Sequence, residues 1–178
     1  SNQELEESLY EESNRVGIVK IVKENNKYGI INSETKEVIL KPIYDEIKIE
    51  DIGIIKARIE NEIKVGVVNT KKGKLILDVI YDEYSVCPWG EKYIEYYHQE
   101  DGYVFMDIDK ESVIAAKYEC PVIDLMGKFV IMGEGGFAVK LKNIDSGEEY
   151  TNDDFFANSL CYGNPDQFCL KKDGKVQI

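Results

Sequence analysis

The sequence is poor in the residues that most catalytic and metal-binding sites require. It contains one histidine, His98, and four cysteines, none of which forms a CxxC pair, so the usual spacing of a zinc site is absent. His98 stands in the polar stretch His-Gln-Glu-Asp-Gly with no serine or cysteine beside it, which argues against nucleophilic catalysis. We therefore expect no catalytic residue, no metal ion and no cofactor.

Long apolar runs and basic runs are also absent. No stretch reaches about 18 apolar residues, the length that would predict a transmembrane helix. The 34 acidic residues outnumber the 22 basic ones, and the formal net charge of −12 disfavours binding to nucleic acid or to anionic membranes. A negative surface favours basic peptides weakly, and it is also typical of proteins that simply stay in solution. We expect a protein or a peptide as the partner.

Residues 1–14 form an acidic leader. Leu5, Leu9 and Tyr10 give it a weak helical period among glutamates, which predicts a short N-terminal helix or a frayed segment. The opening Ser1-Asn2 is typical of the remnant of a cleaved tag, so both a cytoplasmic and an exported location stay open.

A 37-residue repeat organises the rest of the chain. Residues 26–47 and 63–84 align without a gap and share nine of 22 residues, which indicates a tandem array. The shared residues are Lys27/Lys64, Gly29/Gly66, Asn32/Asn69, Ile39/Ile76, Leu40/Leu77, Ile43/Ile80, Tyr44/Tyr81, Asp45/Asp82 and Glu46/Glu83. We predict a repeat domain over residues 15–178, with units at about 15–47, 53–84, 90–120 and 127–157 and a partial unit at 166–178.

The later copies depart from this pattern. The third slips by one residue, so that Tyr103 takes the place of Tyr28 and Val104 that of Gly29. In the degenerate fourth copy we assign Asp145 to the asparagine position.

Each unit reads as three short strands. In the second copy we expect strands at 54–59, 64–69 and 74–77, with turns at 60–62 and 70–73, and Gly73 supplies a positive φ. Beyond residue 14, only residues 150–159 are a candidate for a helix. The sequence thus predicts an all-β fold of three-stranded antiparallel meanders in a propeller-like or solenoid array, and the partial unit would close or cap it.

These motifs resemble the WG (KWG) repeat family, which is mostly bacterial. Its pattern of Lys-Trp-Gly-aromatic-Ile-Asp followed by Pro-x-Tyr-Asp matches residues 27–32 and 42–45, and again residues 64–69 and 80–82. The tryptophan is replaced by Tyr28, Val65 or Tyr103, and the only literal Trp-Gly, at Trp89-Gly90, lies in the register of Gly53 and Gly127 instead. The resemblance implies β-rich repeats with an interaction or structural role.

The repeated residues invite two interpretations. The triplets Tyr44-Asp45-Glu46 and Tyr81-Asp82-Glu83, with the weaker Tyr118-Glu119, form either a row of ligand-binding groups or structural contacts between units. Repetition in every unit favours structure, because stacking contacts must recur whereas a site need occur once. We assign structural roles to Gly29, Gly66, Tyr44, Tyr81, Tyr118, Asp45 and Asp82.

An aromatic cluster is the main candidate for binding. Tyr and Trp are common anchors at interfaces, and the cluster consists of Trp89, Tyr93, Tyr96, Tyr97 and Tyr103. The alternative is that these rings fill the core of the third unit. Residues 107–111 are spaced like a calcium loop, but Ser112 replaces the required glycine, so we interpret them as a repeat turn.

The functional hypothesis is a non-catalytic module that binds a protein, a peptide or a cell-envelope polymer. Two alternatives stay open: a hydrolase that uses two converging carboxylates, and a purely structural spacer.

Overall fold

The structure is a computed structural model that describes residues 14–50, 52–135, 137–151, 155–156, 169–172 and 175–177. Apart from Asn14, the expected N-terminal leader lies outside these residues. The chain divides into two compact units, residues 1–94 with 108–111 and residues 95–107 with 112–178. Each unit is described by itself below.

The described residues form an all-β structure, with one single-turn 3₁₀ helix at Glu83–Ser85. Four antiparallel sheets have four strands each. The first has the order β1 (Arg15–Val16), β2 (Val19–Glu24), β3 (Lys27–Asn32), β4 (Val38–Tyr44); the second has β5 (Glu46–Ile49), β6 (Ile54–Ile59), β7 (Glu62–Asn69), β8 (Lys74–Tyr81). The third is formed by β9 (Val86–Trp89), β10 (Tyr93–His98), β11 (Gly102–Asp107), β12 (Ser112–Tyr118), and the fourth by β13 (Val122–Met126), β14 (Phe129–Glu134), β15 (Phe137–Asn143), β16 (Glu149–Thr151).

The all-β class and the antiparallel meanders are confirmed, but the prediction of three strands in each unit is wrong. Each sheet has an additional first strand, as β5 shows in the second sheet. β5 has only four residues, in which Ile47 and Ile49 alternate with Glu46 and Lys48, and so short a stretch gives a weak strand pattern in the sequence.

The C-terminal residues form a smaller sheet. Its order is β17 (Phe155–Phe156), β18 (Cys169–Lys172), β19 (Lys175–Gln177). The partial unit therefore supplies two strands, and β17 pairs with the first of them. No helix is present among the described residues of 150–159, where Tyr150 and Thr151 end the fourth sheet.

A buried asparagine holds the long turn in three of the sheets. Asn32 Oδ1 accepts hydrogen bonds from the backbone N–H groups of Glu34 (2.9 Å) and Thr35 (3.1 Å). Asn69 and Asn143 repeat this arrangement with the residues two and three positions further on. The assignment of Asp145 to this position is therefore wrong, because Asn143 accepts the two bonds and Asp145 donates one of them.

The same turn requires a left-handed residue four positions after its polar residue. These residues are Lys36, Gly73, Glu111 and Gly147, with φ values of 66°, 64°, 54° and 74°. The positive φ predicted for Gly73 is confirmed. Gly90 is also left-handed, like Gly53 and Gly127, which separates it from the extended Gly29 and Gly66 as the sequence register predicted.

Within the first unit, each turn also contacts the next one. Asn69 is 1% exposed, and its Nδ2 donates to the carbonyl of Ile108 (3.1 Å) and to Glu111 Oε1 (3.3 Å). In the preceding turn, Asn32 Nδ2 would lie 2.5 Å from a Cβ added at Gly73. Backbone bonds add to this contact, since the N–H of Ile18 donates to the carbonyl of Thr70 (2.9 Å).

Gly29 and Gly66 allow the last strand of each sheet to bulge towards the strand before it. Tyr28 and Ile30 pair with Tyr44 and Leu40, so β4 has two more residues than β3 between these pairs. A Cβ at Gly29 would lie 2.6 Å from the carbonyl oxygen of Leu40. In the third sheet, Tyr103 and Phe105 pair with Tyr118 and Ala115, which are only three residues apart. The bulge is therefore smaller, and the position between Tyr103 and Phe105 accommodates Val104.

The first two sheets share a hydrophobic core. It consists of the buried residues Val19, Ile30, Tyr44, Ile47, Ile55, Ala57 and Val68. Tyr44 ends the first sheet and belongs to the same core as residues of the second. In the second unit, Ile131 and Leu141 form a core with Ile123, Met126, Ala138 and Tyr150.

We predict that Asn69→Ala lowers the free energy of unfolding by about 2–3 kcal/mol, because it orphans two backbone donors and removes two bonds to the next turn. Chemical denaturation measures this loss. Asn61→Ala, in the exposed β6–β7 turn, is the matched control and should change stability by less than about 0.5 kcal/mol. Equal effects of the two substitutions would show that the buried turn does not stabilise the fold.

We predict that Gly66→Ala costs about 1–3 kcal/mol, because the new Cβ would lie 2.7 Å from the carbonyl oxygen of Leu77 and 2.8 Å from Val79 Cγ2. Glu62→Ala, at an exposed position of the same strand, is the control. Thermal unfolding compares them, and a stability like that of the unsubstituted protein would contradict the close approach at the bulge.

Candidate interaction site

The structure places the five predicted aromatic residues in different surroundings. Trp89 and Tyr93 belong to the first unit, and Tyr96, Tyr97 and Tyr103 to the second. Only Tyr97 is exposed, at 45%, whereas the other four side chains are half-buried. The five residues therefore do not form one exposed aromatic surface within either unit.

In the first unit, the aromatic side chains are partly covered. Trp89 Nε1 is sealed from solvent and has no hydrogen-bond partner among the described residues. The ammonium group of Lys92 lies 5.1 Å from the centre of the Tyr93 ring. This burial favours the alternative that these two rings are mainly packing residues.

In the second unit, Tyr97 and Tyr103 form a pair of rings. Their centroids are 5.0 Å apart and the rings are inclined by 57°, an ordinary tilted aromatic contact. Tyr97 is the exposed member of the pair. It offers a small aromatic surface next to the β10–β11 turn.

The Tyr-Asp-Glu triplets are engaged in contacts within the fold. The Lys27 ammonium donates to Asp45 Oδ1, and Asp45 Oδ2 accepts the backbone N–H of Glu60 (2.7 Å). The hydrogen bond from Lys27, followed by that from Glu60, holds the pKa of Asp45 below its usual range. Lys64 and Asp82 repeat the ion pair (2.8 Å), which explains why both residue types recur at the same offset.

The tyrosines of the triplets are also packed. Tyr44 and Tyr118 are each 9% exposed, and Tyr81 is half-buried. The Tyr118 hydroxyl donates to Glu149, and burial raises the pKa of Tyr118 well above its usual range, with this bond as the second cause. Packing and internal bonds at each triplet support the structural interpretation.

The second sheet ends differently from the first. Ile47 lies in β5 and is 7% exposed, whereas Tyr84, 37 residues later, lies in the 3₁₀ helix and is 92% exposed. This helix lies against β7. Tyr84 is therefore an aromatic side chain that the fold leaves in solvent at a position where the preceding copy buries an isoleucine.

A shallow groove lies on the second sheet beside this helix. Its β5 and β6 side chains alternate with core residues such as Ile47 and Ala57, so they point away from the core. The groove is lined by Glu46, Lys48, Glu50, Lys56, Arg58, Ile63 and Glu83. Three acidic and three basic groups thus flank one aliphatic side chain.

The charges of the groove are paired with one another. Glu46 contacts Lys48 (3.2 Å) and Arg58 (3.3 Å), and its pKa is lowered, with the Lys48 hydrogen bond as the first cause. Lys56 lies 2.9 Å from Glu50 and 3.5 Å from Glu83. The groove is locally balanced in charge, although the whole chain carries a formal charge of −12.

The turn that resembles a calcium loop is engaged with lysines. Lys71 Nζ lies 2.9 Å from both carboxylate oxygens of Asp109, and Lys74 lies 3.0 Å from Glu111. The Lys74 hydrogen bond is the largest cause of the lowered pKa of Glu111. Throughout the described part of the chain, no three His, Cys, Asp or Glu side chains are grouped as metal ligands.

One buried carboxylate was missed by the sequence reasoning. Glu95 is 6% exposed in β10, and its Oε2 accepts the backbone N–H of Val122. Burial raises its pKa to about 7, although the Val122 bond acts in the opposite direction. Within the described part of the chain, the other buried polar residues are Asn32, Asn69, Asp107 and Asn143, all of them at the turn position.

Backbone bonds show what Glu95 replaces. In the first, third and fourth sheets, the long turn is tied to the residue just before the second strand, by Ser33 N–H to Ile18, Ile108 N–H to Lys92, and Ile144 N–H to Lys128. The residues three positions after these acceptors are Ile21, Glu95 and Ile131. In the second sheet the equivalent residue is Ile54. It pairs with Val67 in the same way as Ile21 pairs with Ile30, two residues before the turn asparagine of each sheet. Glu95 thus stands at an isoleucine position.

Comparisons with known proteins do not identify a family. No family model matches the chain, and no curated protein matches it. Among the described residues, no helix has the length and apolar character needed to cross a membrane.

We predict that Asp45→Asn lowers the Tm at pH 7, because it removes the ion pair with Lys27 but keeps an acceptor for Glu60. The lowered pKa of Asp45 means that this contribution exists above the ordinary pKa of an aspartate and is lost as the pH falls through the lowered value. The difference in Tm should therefore shrink as the pH falls below the ordinary pKa of an aspartate, and high salt should reduce it. The control is Asp78→Asn, at an exposed position of β8. An equal change in Tm for that variant would refute a specific role for Asp45.

Proposed function

We propose that this chain is a non-catalytic module that binds a protein or peptide segment along the groove of the second sheet. The observation that carries the proposal is the 92% exposure of Tyr84 beside the groove residue Glu83. Tyrosine and arginine are enriched among the residues that dominate interface energetics, and Tyr84 and Arg58 supply both types here.

The apolar side chains supply the anchors for a partner. Ile63 lines the groove and is 40% exposed, and β7, which carries it, also contacts the helix of Tyr84. Burying both side chains under a partner would remove apolar surface from water, which is the main driving force of most associations. The partner should therefore present apolar or aromatic side chains to Ile63 and Tyr84.

The paired charges determine the polar character of the partner. Exposed ion pairs contribute little stability, so the groove can exchange them for bonds to a partner at small cost. Because acidic and basic groups alternate along the groove, it is complementary to a segment of mixed charge. This favours an extended peptide over a polyanion such as nucleic acid or over an anionic membrane surface.

We also propose that the units form a WG-like array of stacked meanders, either propeller-like or solenoid. Support comes from the 37-residue offset and from the pairing of Tyr28 with Tyr44, Val65 with Tyr81, and Tyr103 with Tyr118 in three successive sheets. Non-enzymatic binding is the common use of such repeats implied by the resemblance.

Selection of a random peptide library on the immobilised chain tests the proposal. We predict enriched peptides with an apolar or aromatic residue flanked by charges of both signs. Tyr84→Ala should weaken their binding by about 30-fold, the loss typical of a dominant interface residue. Fluorescence anisotropy of labelled peptides measures this change.

Tyr97→Ala and Trp89→Ala test the aromatic residues that the sequence favoured. Tyr97→Ala removes an exposed ring of the second unit and should leave binding unchanged. Loss of binding in Tyr97→Ala with normal binding in Tyr84→Ala would move the site to the second unit. A selection that yields no common peptide pattern would reject the binding of peptides.

A further inference from the structure

We propose that Glu95 is a pH-sensitive latch between the third and fourth sheets, which is closed when its carboxyl group is protonated and opens when that group ionises. The latch is the hydrogen bond from Val122 N–H to Glu95 Oε2, which joins β10 to the first residue of β13. It is independent of the groove on the second sheet.

Glu95 is 6% exposed and lines a narrow, largely apolar cavity. Besides Glu95, its walls are formed by Tyr103, Phe105, Ala115, Tyr118, Cys120, Val122 and Met132. The space is too tight for a water molecule. An ionised carboxylate there loses its hydration and receives one backbone bond in return, which is poor compensation for a buried charge.

Among the described residues that line the cavity, none is basic, so none offsets that charge. From β11, β12 and the segment before β13, the titratable groups are Tyr103, Tyr118 and Cys120. Burial raises the pKa of both Tyr118 and Cys120, so these two groups stay neutral when Glu95 ionises. Behind them, Lys140 lies over the Tyr118 ring at 4.7 Å, and Glu149 binds the Tyr118 hydroxyl. Glu119 and Glu134 lie near Cys120 and add negative potential.

The position of Glu95 indicates that the carboxyl group is not needed for packing. The corresponding residues of the other three sheets are Ile21, Ile54 and Ile131, and the last two are 2% and 3% exposed. An isoleucine would fill this place without a desolvation cost. Glu95 therefore makes the contact between the third and fourth sheets depend on the protonation of its carboxyl group. An isoleucine, as found at the equivalent positions, would not introduce this dependence.

The direction of the pH dependence follows from burial. The pKa of Glu95 is raised from 4.5 to about 7, so the folded state binds more protons than the unfolded state between these values. Its contribution to stability is fully present below about pH 4.5 and is lost as the pH rises to about 7. Above that range, ionised Glu95 favours an arrangement in which β13 has moved away and water reaches the carboxylate.

Hydrogen exchange and denaturation of the full chain between about pH 5 and pH 8 test the latch. The unsubstituted protein is compared with Glu95→Gln, which keeps an acceptor but cannot ionise, and with Glu100→Gln, an exposed carboxylate in the turn after β10. Comparison at the same pH cancels the intrinsic pH dependence of amide exchange.

We expect the unfolding equilibrium constant of the unsubstituted protein, relative to Glu95→Gln, to rise by roughly two orders of magnitude from pH 5 to pH 8. The amide of Val122 and those of β14 should exchange faster above pH 7 in the unsubstituted protein only, and Glu100→Gln should behave like it. Parallel pH profiles for the unsubstituted protein and Glu95→Gln would overturn the proposal.

A direct titration keeps the proposal falsifiable if Glu95→Gln does not fold. The carboxyl carbon of Glu95, followed by NMR in the unsubstituted protein, should titrate near pH 7 together with the amide of Val122. An ordinary glutamate titration with no change at Val122 would also overturn it.

Discussion

The side-chain carbonyl of a buried asparagine holds the long turn in three of the four-stranded sheets, and these sheets depend on it. Asn32, Asn69 and Asn143 each bind two backbone N–H groups that the turn would otherwise leave without partners. The amide nitrogen of Asn69 then reaches the next turn, so one side chain both closes its own sheet and contacts the following segment. The two backbone bonds within the turn, which Asn32 and Asn69 share, explain why asparagine recurs at the offset of 37.

Features that depend on local chain signals could be predicted from the sequence. The strands around residues 54–69, the left-handed Gly73 and the separate role of Gly90 all follow from turn chemistry, alternation and the repeat offset. The first strand of the second sheet could not be predicted, because β5 has only four residues and its alternation of Ile47 and Ile49 with charged residues is too short to be distinctive. The sequence reasoning assigned Asp145 to the turn position that Asn143 occupies, because both side chains offer an acceptor oxygen and lie two positions apart. Only the hydrogen-bond register distinguishes them.

The candidate site was less accessible to sequence reasoning, because aromatic content does not reveal exposure. Tyr84 is exposed because a 3₁₀ helix follows Tyr81-Asp82, where the first copy continues into a strand and buries Ile47. Glu95 left a signal, a carboxylate in the apolar stretch Tyr-Ile-Glu-Tyr-Tyr. However, an offset of 37 residues aligns Glu95 with Arg58 instead of with Ile54. The sequence alignment therefore does not show that the structurally equivalent residues are isoleucines. Backbone pairing was needed to correct the register.

The equivalent positions of the four sheets separate structural from functional residues more clearly than residue type does. A polar residue that is buried at the same position of successive sheets meets a need of the backbone, as the turn asparagines do. Glu95 is also buried, but the equivalent positions of the other three four-stranded sheets hold isoleucines, and its carboxyl group accepts a bond from one backbone N–H, whereas the Asn32 oxygen accepts two. Desolvating an ionised carboxylate is far more costly than desolvating an amide. A glutamate in place of the equivalent isoleucine therefore opposes folding near neutral pH. A residue that opposes folding at a position where its equivalents support it is best explained by a conditional contact.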